Sequence, residues 1–246
     1  DIYTPGNKWN LKGSIRIAKM VGLDYGLGLG ENEGSTADDR VLLNPDRSAY
    51  VYKYTAYALS ERLYKQIFPN VFAGAGVFFE LKRSIHESNG QSPTPLSIFS
   101  ERKGLDSKDY NNNGYMINLQ YTTRDNPNSA YRGIYTDVVL RANQAWMGSE
   151  KNAFQLETDF RKYWSLSTDK PNHVLAFWYW GSYHLGGDLP YLELPGTGRD
   201  AYARTGRGYT MGYFKGDSFF YSEVEYRFPI LRNRFISGVT FFNVQS

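Results

Sequence analysis

The sequence predicts an all-β chain forming an antiparallel transmembrane β-barrel, and three observations carry that prediction. Apolar and polar residues alternate with period two over runs that outlast the roughly 5–6 residues of an ordinary soluble strand. Connections between those runs alternate between short and long. Aromatic residues (21 Tyr, 15 Phe and 5 Trp) make up 17% of a chain whose mean hydropathy is only −0.54. A barrel reconciles the last two numbers, because its polar lumen hides the lipid-facing rows from any average.

Nine strands are expected, at 11–25, 49–62, 71–84, 113–124, 130–144, 151–167, 172–186, 217–229 and 233–245. In Tyr115 to Thr123 the odd positions are mostly apolar or aromatic and the even ones mostly polar. Segment 134–142 sets Ile134, Val138, Leu140 and Ala142 against Tyr135, Asp137, Val139 and Arg141. Phe154, Leu156 and Phe160 alternate with Gln155, Glu157, Asp159 and Arg161. Phe220, Val224, Tyr226 and Phe228 alternate with Glu223, Glu225 and Arg227. A strand with one apolar and one charged face, long enough to cross a bilayer at a tilt, suits a membrane barrel better than a sandwich.

The connections support the same architecture. Those at 64–70, 125–130, 167–172 and 229–233 are short and rich in Pro, Asn, Asp and Ser. Between them lie 26–48, 85–112, 145–150 and 187–216, three of them long. Tight turns on one side and long loops on the other are a barrel's habit. Nine strands is an odd number, whereas single-chain bacterial barrels usually close with an even one. Strands missing from both ends are therefore expected, with 1–246 a single partial barrel domain.

Composition excludes several classes. The 246 residues carry Lys+Arg 28 against Asp+Glu 25, a net charge of +3, with no basic block to bind nucleic acid. Without Cys there is no disulfide framework, thiolate metal site or Cys nucleophile. No apolar run reaches the roughly 20 residues of a membrane helix, and Asp1 does not open a signal peptide. His86, His173 and His184 are dispersed without metal-ligand spacing, so neither a metal nor a cofactor is expected. Leu194-Pro195-Gly196-Thr197-Gly198 spells a sortase signal but lacks an apolar tail, and Gly26-x-Gly28-x-Gly30 lacks the spacing of a dinucleotide loop. Both read as turns. No Gly-x-Ser-x-Gly elbow accompanies the Ser, His and Asp residues.

The most specific stretch is 187–229. It contains Gly206-Arg207-Gly208-Tyr209 and then Glu225-Tyr226-Arg227-Phe228-Pro229. Here the chain resembles the Omp85 superfamily, the surface-antigen barrels of BamA and TamA type, and most of all its Bacteroidetes-type members. Arg207-Gly208-Tyr209 is similar to the family's Arg-Gly-Phe/Tyr loop tip, and Glu225 to Pro229 to its Glu-x-x-x-Pro strand end. Tyr121 to Asn126 and Tyr25-Gly26-Leu27-Gly28 resemble further family elements.

The resemblance implies a sixteen-stranded barrel in a Gram-negative outer membrane, with no POTRA domain in this stretch. Loop 187–216 would fold inward, Arg207 meeting Glu225 and an acid on the next strand. That position here is Asn243, which lacks the charge. Gly208 would allow a close backbone approach. The implied role is insertion, assembly or translocation of outer-membrane proteins, with no bond made or broken. Implied partners are the bilayer with its lipopolysaccharide, unfolded outer-membrane proteins and other envelope subunits. Alternative readings are an accessory subunit, a passive pore, or a lipase or acyltransferase barrel, for which His184 would be the base to test.

Overall fold

The computed structural model describes every residue except 1, 5, 7, 29–34, 88, 89, 91, 169–171 and 232–235. Glycine 30 and the Asp169-Lys170-Pro171 part of an expected turn lie outside the described residues. Ten strands form one antiparallel sheet in sequence order: β1 Ile2–Tyr3, β2 Trp9–Asp24, β3 Tyr50–Phe68, β4 Val71–Glu87, β5 Tyr110–Thr122, β6 Gly133–Asn143, β7 Ala153–Ser165, β8 Val174–Gly187, β9 Ser218–Pro229 and β10 Ser237–Gln245. Among the described residues, β1 and β10 do not pair with each other, so the sheet has two free edges. Among the described residues, no helix is long and apolar enough to cross a membrane.

Period two builds this sheet. On β5 Tyr110, Asn112, Met116, Asn118 and Gln120 are buried on the inner face, while Ile117, Leu119 and Tyr121 are exposed on the outer one. On β9 the inner row is Phe219, Tyr221, Glu223 and Glu225, all buried. The sheet curls onto its inner face. The hydroxyl of Tyr64 on β3 donates to Asp137 on β6 at 3.1 Å, although two strands separate them. Glycines on β4 make room for that curl. A Cβ at Gly74 would fall 2.9 Å from the Tyr64 ring, and one at Gly76 would fall 2.7 Å from Arg62 Cγ.

β3, β4 and β5 each run three or more residues beyond an expected limit, β4 continuing to Glu87. β3 continues to Phe68, because Lys65 and Gln66 pair with Ala73 and Phe72, and only Pro69 and Asn70 remain for the turn. β5 begins at Tyr110 although residues 110–112, with Asn111 and Asn112, read as loop. Asn112 Nδ2 donates to Glu80 at 2.9 Å and Asn113 Oδ1 accepts from Glu80 N, so a polar interior satisfies what a soluble core would reject. The turn after β5 is scaffolded by side chains. Asn126 Oδ1 accepts from Asn128 N and Ser129 N, and Asp125 Oδ1 from Tyr131 N.

The long connections are not plain loops, which corrects the expectation for 26–48 and 85–112. They carry α1 (Ala37–Leu43) and α2 (Pro95–Lys103). Each opens on a capping box, Thr36 with Asp39 and Thr94 with Ser97, and ends at a left-handed residue, Asn44 or Gly104. Both helices are too short for a sequence period to show. Hydrogen bonding from Thr36 and Arg102 holds the Asp39 carboxyl below the usual carboxylate range, and Arg102 joins the two helices at 2.9 Å. Packed at the long-loop end, Leu42, Leu96 and Ile98 join Tyr50, Tyr52, Ile85 and Tyr110 in one apolar core.

Candidate functional site

The connection from β8 to β9, residues 188–217, runs inside the curl of the sheet and is fastened at three levels. At the top Leu189, Tyr191, Leu192 and Leu194 fill the apolar core beneath the two helices. Glu193, between them, pairs with Lys82 and accepts from the Tyr110 hydroxyl at 2.8 Å. An acid can sit here because the Lys82 ammonium offsets its charge and the Tyr110 hydroxyl donates to the same oxygen.

The second fastening is dry. Lys215 pairs with Asp24, the last residue of β2, and each side chain is only 1% exposed. Tyr191 donates its hydroxyl to the same carboxylate at 2.8 Å, and its ring centroid lies 4.0 Å from the Lys215 ammonium. Burial pushes the Lys215 ammonium down to about 8, and Asp24 opposes that shift. Arg47 stitches nearby backbone together, donating to Tyr25 O at 3.1 Å, Gly28 O at 2.5 Å and Tyr213 O at 3.3 Å. Gly28 is a bridge residue that pairs with Lys215.

The third fastening is the tip. Asp200 Oδ1 accepts from Arg204 N, Thr205 N and the Thr205 hydroxyl, each at 2.8 Å, which folds 200–205 into a compact turn. Arg207 follows. Its Nη2 lies 3.1 Å from Glu225 Oε2 and its Nε 3.5 Å from Glu223 Oε2, and its guanidinium lies 4.7 Å from the Phe241 ring on β10. Glu225 also pairs with Arg227, and Tyr221 donates to Glu223 at 2.6 Å. Asn243 offers no charge to Arg207; its amide lies 3.5 Å from the Arg207 carbonyl oxygen.

Gly208 has φ +92, and a Cβ there would meet nothing within 4 Å. Its requirement is conformational, so the expected close backbone approach is replaced by the left-handed geometry that glycine favours. Tyr209 stacks its ring near Tyr213 and Phe214, with centroids at 5.4 and 5.1 Å. Four contributors were not singled out from the sequence: Asp24, Lys215, Glu193 and Glu223. Glu223 was legible, since it shares the inner face of β9 with Glu225 two residues on. Asp24 and Lys215 lie 191 positions apart and carried no local signal.

Through these fastenings the loop touches the first long strand, β2 at Asp24, and the edge strand β10 at Phe241 and Asn243. Beneath its tip lies a cavity of about 970 Å³, lined by β2, β3, β6, β7, β8, β9 and the turn after β5. Elsewhere His184 Nδ1 lies 3.2 Å from Asp217, His173 reaches the Tyr226 hydroxyl at 2.8 Å, and His86 bonds the Ser84 carbonyl. Among the described residues no group of three or more His, Asp or Glu is placed to hold a metal.

No curated protein matches the chain. Among solved structures, BamA from Haemophilus ducreyi lacking POTRA domains 1–3 superposes with a TM-score of 0.61 at 12% identity. The match covers 97% of this chain and 46% of that one, so the chain spans about half the length of the relative it resembles. The shared feature is the fold of an antiparallel barrel wall. The family model of the Omp85 superfamily domain matches residues 6–245, almost the whole sheet with its inward loop. This chain belongs to the Omp85 superfamily.

Proposed function

We propose that the chain is barrel wall in the outer membrane of a Gram-negative bacterium, and that its protein inserts, assembles or translocates outer-membrane proteins. The outer face carries the rows that meet lipid: Ile15, Ile17 and Val21 on β2, Ile117 and Leu119 on β5, Phe242 on β10. The observation that carries the functional reading is the loop 188–217. It folds into the interior, holds Arg207 against Glu225 and Glu223, and joins the first long strand to the last. A brace of that kind keeps the two ends of the sheet in register while leaving its edges free to accept strands. Partners on this reading are lipid with lipopolysaccharide, unfolded outer-membrane proteins, and other envelope subunits. No chemical step is involved.

The apolar core under α1 and α2 closes the long-loop end, which argues against a passive pore. The test is reconstitution of the full protein in vesicles with an unfolded outer-membrane barrel as client. Faster client folding than in empty vesicles is expected, with the gain reduced by Arg207→Ala. An unchanged client folding rate overturns the proposal.

A further inference from the structure

The cavity beneath the loop tip has two walls of different charge character. On the β8–β9 side, cations and anions match: Glu223 and Glu225 meet Arg207 and Arg227. The opposite wall is built by β2, β3, β6, β7 and the turn after β5, and it presents Lys12, Arg62, Arg124 and Arg161 together with the carboxylates of Asp137, Glu157 and Asp159. Of the cations, Arg161 is matched, pairing with Asp159 at 2.6 Å. The other three cations have no carboxylate within 4.0 Å among the described residues.

Of the carboxylates on this wall, Glu157 pairs with Arg141 and Asp159 with Arg161. Arg124 donates to Thr122 Oγ1 and Pro127 O and stacks over Tyr135, 4.1 Å from the ring centroid. Lys12 sits 4.8 Å from the Tyr64 ring and 5.8 Å from the Tyr135 ring. Arg62 Nε is buried without a hydrogen-bond partner. Asp137 accepts from the hydroxyls of Tyr64 and Tyr135 through Oδ2, at 3.1 and 3.2 Å, and its Oδ1 is buried without a hydrogen-bond partner. Three cations, Lys12 and Arg124 against aromatic rings, line one cavity, and a cation with a buried, idle N–H is costly unless an acceptor arrives.

We propose that this wall is an anion site, with Lys12, Arg62 and Arg124 receiving the carboxylate or phosphate groups of a ligand that enters past the turn 123–132. Arg62 and Arg124 supply forked donors, Lys12 a mobile point charge. Tyr135 keeps the two stacking cations, Lys12 and Arg124, apart and fixes their spacing. The site does not depend on the transport reading, since it is defined by the chain's own side chains, and it can be tested in detergent without membrane insertion.

The experiment titrates the detergent-purified full protein with two probes, a hexa-aspartate peptide and inorganic pyrophosphate, by calorimetry. Quenching of Trp178 and Trp180, which also line the cavity, gives a second readout. Saturable binding is expected to weaken about tenfold or more in each of Arg62→Gln and Arg124→Gln, and to be unaffected by Lys162→Gln, a cation on the outer face of β7. Circular dichroism and heat-dependent gel mobility establish that each variant is folded. Lys12→Gln, at a position with no fixed hydrogen bond, serves as the variant least able to disturb the wall. Binding of the peptide alone assigns the site to polypeptide carboxylates, and binding of pyrophosphate alone to phosphates; either supports it. Absence of binding by both probes, or binding that survives all three substitutions unchanged, overturns it.

Discussion

The inward loop is held by two ion pairs of opposite character. Lys215–Asp24 is dry, with both side chains 1% exposed, and it sits against Tyr191 in the apolar core. Arg207–Glu225 is wet on one side, its arginine 41% exposed to the cavity and its carboxylate 9% exposed. The difference teaches what each is for. A fully buried pair is costly to break, because the survivor is left charged in a low-dielectric site. A half-exposed pair can part and re-form, because water takes up what the partner releases. The upper anchor therefore fixes the loop to β2, and the lower one positions its tip against β9 and β10.

The sharpest way to break this comparison is Asp24→Asn, which leaves Lys215 buried and unpaired. A loss of about 3–5 kcal/mol is expected, read by urea unfolding in detergent micelles and by faster protease cleavage within 196–215. The double variant Asp24→Asn with Lys215→Met recovers most of that loss if the cost lies in the orphaned charge. If the single variant is as stable as the parent, the anchor is not dry.

Glu225→Gln should do less, roughly 1–2 kcal/mol, because Arg207 keeps Glu223 and gains water. Its signature is local: cleavage after Arg207 speeds up while the core around Tyr191 stays protected from hydrogen exchange. Equal exposure of both regions would mean that the two anchors melt as one unit.

The smallest effect is expected at the rim. Asp188, just past β8, is held below the usual aspartate range by a hydrogen bond from Lys103, with Lys103 and Lys151 charges adding to it. Its folded value lies under its unfolded one, so its contribution is present above the ordinary aspartate range and is lost as pH falls through the lowered value. Cleavage at the start of the loop should rise slightly on acidification below that range, with the Asp24 anchor unmoved. A flat profile would remove Asp188 from the set of fastenings.

Much of this architecture was legible in the residues. Alternation in 134–142, 154–161 and 219–228 assigned inner and outer faces, because a strand places successive side chains on opposite sides whatever it packs against. Arg207 and Glu225 could be singled out because Arg207-Gly208-Tyr209 and Glu225 to Pro229 resemble the family's loop tip and strand end. The helices were missed since each spans two turns or so, and a capping box such as Thr94 with Ser97 is a weak mark inside a long polar connection. Asn111 and Asn112 misled for the opposite reason: asparagine signals a loop in a dry protein, yet it suits the interior of a polar-lined curl.

Sequence alone determined the sheet, its faces and most of its turns, since these rest on contacts between near neighbours along the chain or across one hairpin, whereas the inward arginine tip was implied by the family resemblance. Only the tertiary structure decided that Tyr64 reaches Asp137, that Lys215 meets Asp24 across the whole length of the sheet, and that three cations share one unfilled wall. Those contacts depend on how far the sheet curls, and curl is set by twist and by side-chain volume summed over many strands rather than by any local pattern.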